Sequence, residues 1–314
     1  MAKLLEYNAT LAERIDITDA LTIFRVKPDT MPAERPWFVP GQYCVLGMNN
    51  AEKPELGSTR RSMSIASAPE DDGAVEFYIR WVAKPESENP LTHMLWKSAK
   101  PGERMYMRPV AAGVFTIKDT VGVDDPRLRV MVAAGTGSAP FVSMVRSELR
   151  RDPNADLSKY VLLHGASYPA DLGYRDELAQ MVERNKLKYW GTVSRPKEAV
   201  DWKGDVGRVE AYFEGPRLDE LEKRCGLAAG GFTPKNVVVY ICGLTGTITG
   251  TVIPLIDRGF VPDFKRIREA LGVPADAKDS VFYEQYDTEP VINIKDPAVT
   301  EPLKARMQAA LAKL

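Results

Sequence analysis

The sequence predicts two domains, an N-terminal antiparallel β-barrel followed by an α/β domain built on a parallel sheet. The chain of 314 residues is longer than a single hydrophobic core usually serves. Before Asp124, short apolar or alternating segments are separated by turn-forming residues, which is typical of an antiparallel barrel. From Arg129 onward, strand-like and helix-like segments alternate, and this alternation predicts a parallel sheet.

The predicted barrel, residues 1–124, is divided by clear turn signals. Pro40-Gly41, Asp72-Gly73 and Pro101-Gly102 lie between its apolar segments. Strands are predicted over residues 21–26, 43–47, 75–82 and 105–108, and one helix is predicted over residues 91–98.

The predicted α/β domain, residues 125–286, follows a polar, proline-containing segment. Its strands are expected over residues 130–134, 160–164, 188–193 and 237–242, and its helices over residues 141–150, 176–185 and 250–258. Residues 287–314 form a C-terminal extension that ends in a predicted amphipathic helix. The apolar face of that helix would carry Leu303, Met307, Ala310, Leu311 and Leu314.

The composition is that of an ordinary globular protein, and it excludes several classes of function. A formal net charge of -1 argues against a general attraction to nucleic acid, and no apolar run is long enough to span a membrane. Residues 1–10 lack the pattern of a secretory signal, so we expect a cytoplasmic protein. Three scattered cysteines and two histidines are too few for a metal centre, so redox chemistry would need an organic cofactor.

The segment Arg61-Ser62-Met63-Ser64 is the first that suggests ligand binding. A guanidinium offers charge-assisted donors in a fixed fork, which suits a diphosphate. The Ser64 hydroxyl can reach a polar edge of a bound ring. The same residues also fit a basic, serine-rich edge strand.

Two glycine turns follow predicted strands of the α/β domain. Gly135-Thr136-Gly137 precedes a predicted helix, so a phosphate can approach both the backbone and the helix N-terminus. Cys242-Gly243 ends another strand, and ligands of open α/β sheets lie across the carboxyl ends of the strands. The two turns are expected to face one crevice. Each also fits a plain tight turn, and Cys242 also fits a small buried apolar residue.

Two arginines lie beyond predicted strand ends, Arg195 after Ser194 and Arg208 after Gly207. Such arginines can clamp the 2′-phosphate that distinguishes NADP from NAD. The alternative is two solvated surface arginines.

Together and in this order, these segments resemble the ferredoxin–NADP(+) reductase family over residues 5–286. Arg61-x-x-Ser64 resembles the flavin motif of that family, and the Gly135 turn resembles its NADP-pyrophosphate loop. Residues 283–286 resemble the C-terminal segment whose last aromatic residue covers the flavin. Further similarities are to the flavin-diphosphate loop at residues 89–92, the exit from the barrel at 111–115, the 2′-phosphate site at 194–195 and 207–208, and the nicotinamide segment at 240–244.

The resemblance implies an enzyme that moves a hydride between NADP(H) and FAD and single electrons between FAD and ferredoxin or flavodoxin. The implied catalytic residues are Ser64, Cys242, Glu284 and Tyr286, with Tyr286 as a movable aromatic gate. The implied FAD-binding residues are Arg61, Ser62, Met63, Ser64, Pro90, Leu91, Thr92, Gly113, Thr136 and Tyr286. The implied NADP-binding residues are Gly135, Thr136, Gly137, Ser167, Ser194, Arg195, Arg208, Cys242 and Gly243.

Three features depart from the pattern of the family. Met63 stands where members usually have an aromatic residue, and Ser167 stands where bacterial members often have an arginine. NADP preference would then rest on Arg195 and Arg208. The chain also continues for 28 residues after Tyr286. This extension would cover the adenine half of FAD, form a dimer contact or restrict Tyr286, and the sequence does not choose among these roles.

Two alternatives to a ferredoxin or flavodoxin reductase remain open at the level of sequence. The chain fits a reductase component of an oxygenase, or a free-flavin reductase, with either NADH or NADPH as the reductant. It also fits a non-enzymatic relative that serves as a subunit of a larger complex. The NADPH preference of the purified chain and its ability to reduce a dye unaided separate these alternatives.

Overall fold

The computed structural model describes residues 4–33, 35–198 and 201–314. The contacts within the chain divide it into two compact units. The first unit contains the residues up to Val123 together with Ala139–Ala155, and the second contains Asp124–Ser138 and Asp156–Leu314.

The first unit is an antiparallel barrel. Its strands are β1 (Ala9–Thr18), β2 (Leu21–Pro28), β3 (Tyr43–Asn49), β4 (Ser58–Ser64), β5 (Val75–Arg80) and β6 (Arg104–Met107). Within the described part of the chain they form one six-stranded sheet in the order β4-β3-β6-β1-β2-β5. A bridge between Ile65, which directly follows β4, and Phe77 on β5 joins the two edge strands of this sheet. Phe24, Leu46 and Phe77 are buried in the interior. The short helices α1 (Leu91–Ser98) and α2 (Ile117–Thr120) lie in the connections.

The helix α3 (Ala139–Arg151) packs within the first unit. The ring of Phe141 lies 5.8 Å from that of Phe115, measured between centroids, and the Ser143 hydroxyl donates to the carbonyl oxygen of Ser67 at 2.7 Å. The Arg146 guanidinium donates to the Glu76 carboxylate at 2.7 Å. The helix is therefore held by apolar, polar and ionic contacts.

The second unit is built on a parallel sheet. Its strands are β7 (Leu128–Ala134), β8 (Tyr160–Ala166), β9 (Lys188–Val193), β10 (Asp205–Val206), β11 (Val237–Gly243) and β12 (Val281–Gln285). In the chain as described, these six strands run in the order β10-β9-β8-β7-β11-β12. The central strands β7 and β11 are almost entirely buried, which explains why their sequences are apolar except for Arg129 in β7. The helices are α4 (Arg175–Asn185), α5 (Pro216–Cys225), α6 (Thr245–Ile256), α7 (Lys265–Ala270) and α8 (Pro297–Leu311).

The prediction of an antiparallel barrel followed by a parallel α/β sheet is confirmed. The strand order places β7 between β8 and β11, with β12 beyond β11. The carboxyl ends of four neighbouring strands therefore lie along one edge of the sheet, and the residues that follow them form the site described below.

The C-terminal extension is part of the second unit. Helix α8 buries Leu303, Met307 and Ala310, and Leu303 and Met307 belong to the hydrophobic core of the parallel-sheet unit. Leu314, which was expected on the same face, is 40% exposed because it follows the end of the helix. Arg306 forms a bidentate ion pair with Asp257 at 2.6 and 2.7 Å.

Among the residues that the structure describes, no helix is both long and apolar enough to cross a bilayer.

Candidate functional site

In the barrel, the candidate flavin residues lie on β4 and at the start of α1. Strand β4 pairs with β3, so that Leu46 faces Arg61 and Tyr43 faces Ser64 in the ladder. Arg61 and Ser62 are exposed, Met63 is half-buried and Ser64 is buried. The Arg61 guanidinium donates to the carbonyl oxygen of its neighbour Arg60 at 2.8 Å. An exposed, charged side chain therefore lies near the middle of this strand, and a buried hydroxyl lies at its end.

The loop before α1 is tied to the β3–β4 connection. Asn89 donates to the carbonyl oxygen of Leu56 at 3.2 Å and accepts from the Asn50 amide at 2.9 Å. Pro90 is the N-cap residue of α1 and supplies no side-chain hydrogen bond, while Leu91 and Thr92 are buried. Helix α1 packs beside β3 and β4. The structure thus brings the Arg61 strand and a helix N-terminus together within the first unit, a combination that suits a diphosphate.

Gly113 lies at a turn close to the start of β3. Its φ of +104° is in the region that favours glycine. Its carbonyl oxygen accepts from the Gln42 amide at 3.0 Å, and an added Cβ would lie 3.2 Å from the ring of Tyr43. This position therefore lies close to Tyr43, the residue that faces Ser64 across the ladder.

In the second unit, the two predicted glycine turns are in direct contact. Strands β7 and β11 pair in parallel, with Ala133 opposite Cys242. An added Cβ at Gly137 would lie 2.1 Å from the carbonyl oxygen of Cys242, so only glycine allows this approach. The Gly135 turn and the Cys242 turn, which were expected to face one crevice, therefore lie side by side.

His164 supports the Gly135 turn from β8, and the sequence analysis did not assign it a role. Its Nε2 donates to the carbonyl oxygen of Gly135 at 3.1 Å, and its Nδ1 lies 3.5 Å from the hydroxyl of Tyr189. The Ser138 hydroxyl donates to the same Gly135 oxygen at 3.2 Å. Burial lowers the pKa of His164 to about 4, and the hydrogen bond to Gly135 only partly opposes this shift. The imidazole is therefore neutral at physiological pH and acts as a fixed donor.

Cys242, Glu284 and Tyr286 form a cluster at the ends of β11 and β12. The Cys242 sulfur lies 3.2 Å from the Tyr286 hydroxyl oxygen and 3.8 Å from Oε2 of Glu284. Parallel pairing places Cys242 opposite Glu284, and the backbone N–H of Tyr286 donates to Gly243 at 3.0 Å. The structure therefore brings together the three predicted catalytic residues of this unit. Ser64, the fourth, belongs to the first unit.

The environment of Cys242 keeps its side chain a neutral thiol. Burial raises the pKa of Cys242 well above its ordinary value, and the negative charge of Glu284 raises it further. The hydrogen bond with Tyr286 opposes these effects but does not outweigh them. Because the thiolate is the nucleophilic form, Cys242 is suited to packing and hydrogen bonding and not to covalent chemistry.

The predicted 2′-phosphate residues follow the ends of β8, β9 and β10. The backbone N–H of Arg195 donates to Ser167 at 3.1 Å, and that of Ser194 donates to Ala166 at 3.0 Å. Arg208 is exposed and follows Gly207, whose N–H donates to the last residue of β9 at 2.9 Å. Ser167, Ser194, Arg195 and Arg208 are therefore gathered at one edge of the sheet.

Tyr168 orients the Arg195 side chain, and the sequence analysis did not single it out. The Arg195 guanidinium donates to the Tyr168 hydroxyl at 2.8 Å and lies 5.5 Å from the centre of the ring. Asp287 is a second residue that was missed; its carboxylate accepts from the backbone N–H of Thr245 at the start of α6. Tyr168 and Asp287 each directly follow a predicted site residue, and this adjacency was the signal available in the sequence.

The fold and these sites define a two-domain oxidoreductase that uses a nicotinamide dinucleotide. Across the described ranges, no group of three or more histidine, cysteine, aspartate or glutamate side chains is arranged to hold a metal ion. A family model described as an oxidoreductase NAD-binding domain matches residues 131–252.

Two relatives identify the family, and one solved structure shares the fold. The chain is 32% identical to ferredoxin–NADP reductase B of Sorangium cellulosum over 235 residues, which cover 74% of this chain and 80% of that protein. It is 30% identical to flavodoxin/ferredoxin–NADP reductase of Escherichia coli over 230 residues, 72% of this chain and 80% of that protein. The ferredoxin NADP+ reductase of Neisseria gonorrhoeae, solved with bound FAD and NADP, shares the fold with a TM-score of 0.68 at 21% identity, covering 88% of this chain and 97% of that one. The chain belongs to the ferredoxin–NADP(+) reductase family, which confirms the resemblance predicted from its sequence.

Proposed function

We propose that this protein transfers a hydride between NADP(H) and FAD, and single electrons between FAD and a ferredoxin or flavodoxin. The observation that carries the proposal is the cluster of Cys242, Glu284 and Tyr286 directly beside the Gly137 backbone. A shielded neutral thiol next to a glycine turn at the carboxyl edge of a parallel sheet is suited to contact a flat ring of a nucleotide whose phosphates lie on the turn.

The residues of the barrel fit the demands of FAD. Arg61 and the N-terminus of α1 would bind the diphosphate, because both present N–H donors and positive charge. The Ser64 hydroxyl would hold the polar edge of the ring, with Met63 packed against it. Ser62, Pro90, Leu91, Thr92 and Gly113 would complete the wall. When bound, the flavin supplies the conversion between hydride and single-electron transfer.

The residues of the parallel-sheet unit fit NADP(H). Gly135, Thr136 and Gly137 would bind the pyrophosphate through the backbone, and the neutral His164 keeps the turn in place. Ser194, Arg195, Arg208 and Ser167 would bind the 2′-phosphate. Cys242 and Gly243 would define the position of the nicotinamide.

Each member of the cluster has a separate role in this proposal. The Cys242 thiol fixes the distance and angle at which a ring can lie, since hydride transfer depends strongly on positioning. The Glu284 carboxylate holds or moves a proton near that position. Tyr286 excludes water and must leave its place on Cys242 before a nicotinamide can enter.

The first experiment tests the reaction itself. The purified chain should bind FAD at about one per chain, and NADPH should reduce that flavin in stopped-flow measurements. Reoxidation is then followed with a ferredoxin, a flavodoxin and free flavin as separate acceptors. If free flavin is the preferred acceptor, the assignment of a ferredoxin or flavodoxin as partner is wrong. If NADPH does not reduce the bound flavin, the whole proposed function is refuted.

The second experiment tests the 2′-phosphate site. Replacing Arg195 and Arg208 by alanine should raise the KM for NADPH by about 10- to 100-fold, because hydrogen bonds to a charged group are lost. The KM for NADH should change little. Arg184→Ala, an exposed arginine on α4 of the same unit, is the matched control. Equal losses with both nucleotides would contradict the assignment.

A further inference from the structure

The residues on both sides of Tyr286 are tied to the first residue of α6. The Gln285 amide donates to the Thr245 hydroxyl at 2.8 Å and to Oδ1 of Asp287 at 2.7 Å. The backbone N–H of Thr245 donates to Oδ2 of Asp287 at 3.1 Å, and the Thr245 hydroxyl donates to Oδ1 of the same carboxylate. We refer to Thr245, Gln285 and Asp287 as the Asp287 clasp.

The clasp is electrostatically favourable. Asp287 lies at the N-terminus of the 12-residue helix α6, where the helix dipole favours a negative charge. Partial burial alone would raise the pKa of Asp287, but the hydrogen bonds from Thr245 and Gln285 outweigh burial and leave the pKa below its ordinary value. The carboxylate is therefore ionised at neutral pH, and its hydrogen bonds are charge-assisted.

The chain remains anchored beyond the clasp. The Thr249 hydroxyl, one turn further along α6, donates to the carbonyl oxygen of Val291 at 2.7 Å. Val291 and Ile292 are buried in the core of the unit. On the other side, the N–H of Tyr286 is bonded to Gly243. The backbone on both sides of Tyr286 is thus anchored, and this anchoring restrains the position from which the Tyr286 ring reaches Cys242.

We propose that Thr245, Gln285 and Asp287 are positioning residues that hold the Tyr286 hydroxyl on the Cys242 thiol and so set how often the nicotinamide position is open. This inference rests on the proposed function. A ligand that binds only the open arrangement has an apparent Kd equal to its intrinsic Kd divided by the open fraction. A smaller open fraction therefore weakens binding. The C-terminal extension therefore restricts Tyr286, the third of the roles that the sequence left open.

Kinetics of flavin reduction provide the first test. Asp287→Ala should release Tyr286, increase the open fraction and lower the KM for NADPH and NADH alike by about 3- to 10-fold. The rate of flavin reduction at saturation should stay within about twofold. Asp276→Ala, an exposed carboxylate elsewhere in the unit, is the control. An unchanged or raised KM in Asp287→Ala overturns the proposal.

A double-mutant cycle with Tyr286→Ala shows whether the clasp acts through Tyr286. In the Tyr286→Ala background, Asp287→Ala should have no further effect on the KM, because the ring that it positions is absent. An equal effect in both backgrounds overturns the proposal. Thr245→Val removes the shared hydroxyl and keeps the backbone donor, so it should act in the same direction with a smaller change.

Alkylation of Cys242 by iodoacetamide is a readout that needs neither cofactor. Asp287→Ala and Tyr286→Ala should both speed modification of Cys242, located by mass spectrometry, by about fivefold or more, because each increases the fraction of uncovered thiol. Cys225, buried in the same unit, is the internal reference. An unchanged rate at Cys242, or a parallel rise at Cys225, overturns the proposal. A wild-type chain that NADPH does not reduce would refute the proposed function and still leave this measurement decisive for the clasp.

Discussion

His164, which supports the glycine turn of the parallel-sheet unit, makes the stability of the protein depend on pH. In the folded protein its pKa is about 4, below the ordinary 6.5 that it regains on unfolding. Between these values the unfolded chain binds a proton that the folded chain does not, so stability falls as the pH is lowered from 6.5 to 4. The difference corresponds to about 3 kcal/mol of unfolding free energy.

We therefore predict that His164→Gln flattens the pH dependence of stability in this window. The amide can still donate to Gly135, but it does not titrate. Urea unfolding at several pH values should show that the loss between pH 6.5 and 4 is about 3 kcal/mol smaller in the variant than in the wild type. His93→Gln, in the first unit, is the control.

The comparison must be made between variants because Asp263 has the opposite effect. Burial, with a contribution from Asp279, raises the pKa of Asp263 to about 7. The folded chain then binds the extra proton between pH 3.8 and 7, so the contribution of Asp263 to stability is lost as the pH rises. The pH dependence of stability in the wild type alone would combine the opposing contributions of His164 and Asp263. Identical slopes in wild type and His164→Gln would contradict the prediction.

Among the helices and strands, the ones predicted from the sequence are those whose apolar pattern matches their burial. Strands β7 and β11 are buried on both faces and are apolar apart from Arg129 in β7, and α1 spans the predicted residues. Strand β1 was not predicted, because only Ala9 and Leu11 in it are fully buried and its second half is charged and mostly half-exposed.

Helix α6 shows why a boundary was missed. It was expected from residue 250, but it begins at Thr245. Gly246, Gly250 and Pro254 weaken its intrinsic propensity, so local sequence gives no start signal. The capping carboxylate comes from Asp287, 42 residues away. The same reason explains why the clasp was missed while Cys242, Glu284 and Tyr286 were found: the resemblance supplies motifs, whereas the clasp depends on tertiary contacts.

Helix α3 provides a prediction about buried and exposed ion pairs. Arg146 and Glu76 are largely buried, with 12% and 5% of their side chains exposed, and Arg25 also contacts Glu76. Arg146→Leu would leave the Glu76 charge only partly compensated, so we expect a loss of about 3 kcal/mol in unfolding free energy. Urea unfolding measures this loss.

Arg150→Leu on the same helix is the matched control. Arg150 pairs with Asp71 at 2.5 Å, but its side chain is 55% exposed. Exposed pairs contribute about 0–1 kcal/mol, so this variant should be close to the wild type. Equal losses in the two variants would mean that burial does not decide the strength of these pairs.

At the scale of the whole molecule, the C-terminal extension completes a core and is not a loose appendage. Leu303 and Met307 pack in the same cluster as the strands of the parallel sheet. Removing residues 288–314 keeps Asp287 but exposes that cluster to water. A dimer contact, one of the three roles that the sequence left open for the extension, therefore has a measurable test.

We predict that truncation after Asp287 lowers the Tm and that Met307→Ala reproduces part of the loss. Removing the fully buried Met307 side chain should cost about 2–5 kcal/mol, and each kcal/mol corresponds to about 2–4 °C for a unit of this size. Gln308→Ala, the exposed neighbour on α8, should shift the Tm by no more than about 2 °C. If the extension served a dimer, Met307→Ala would change the molar mass in solution and make the Tm depend on protein concentration. If it completes the core of its own unit, the Tm falls by the same amount at every concentration.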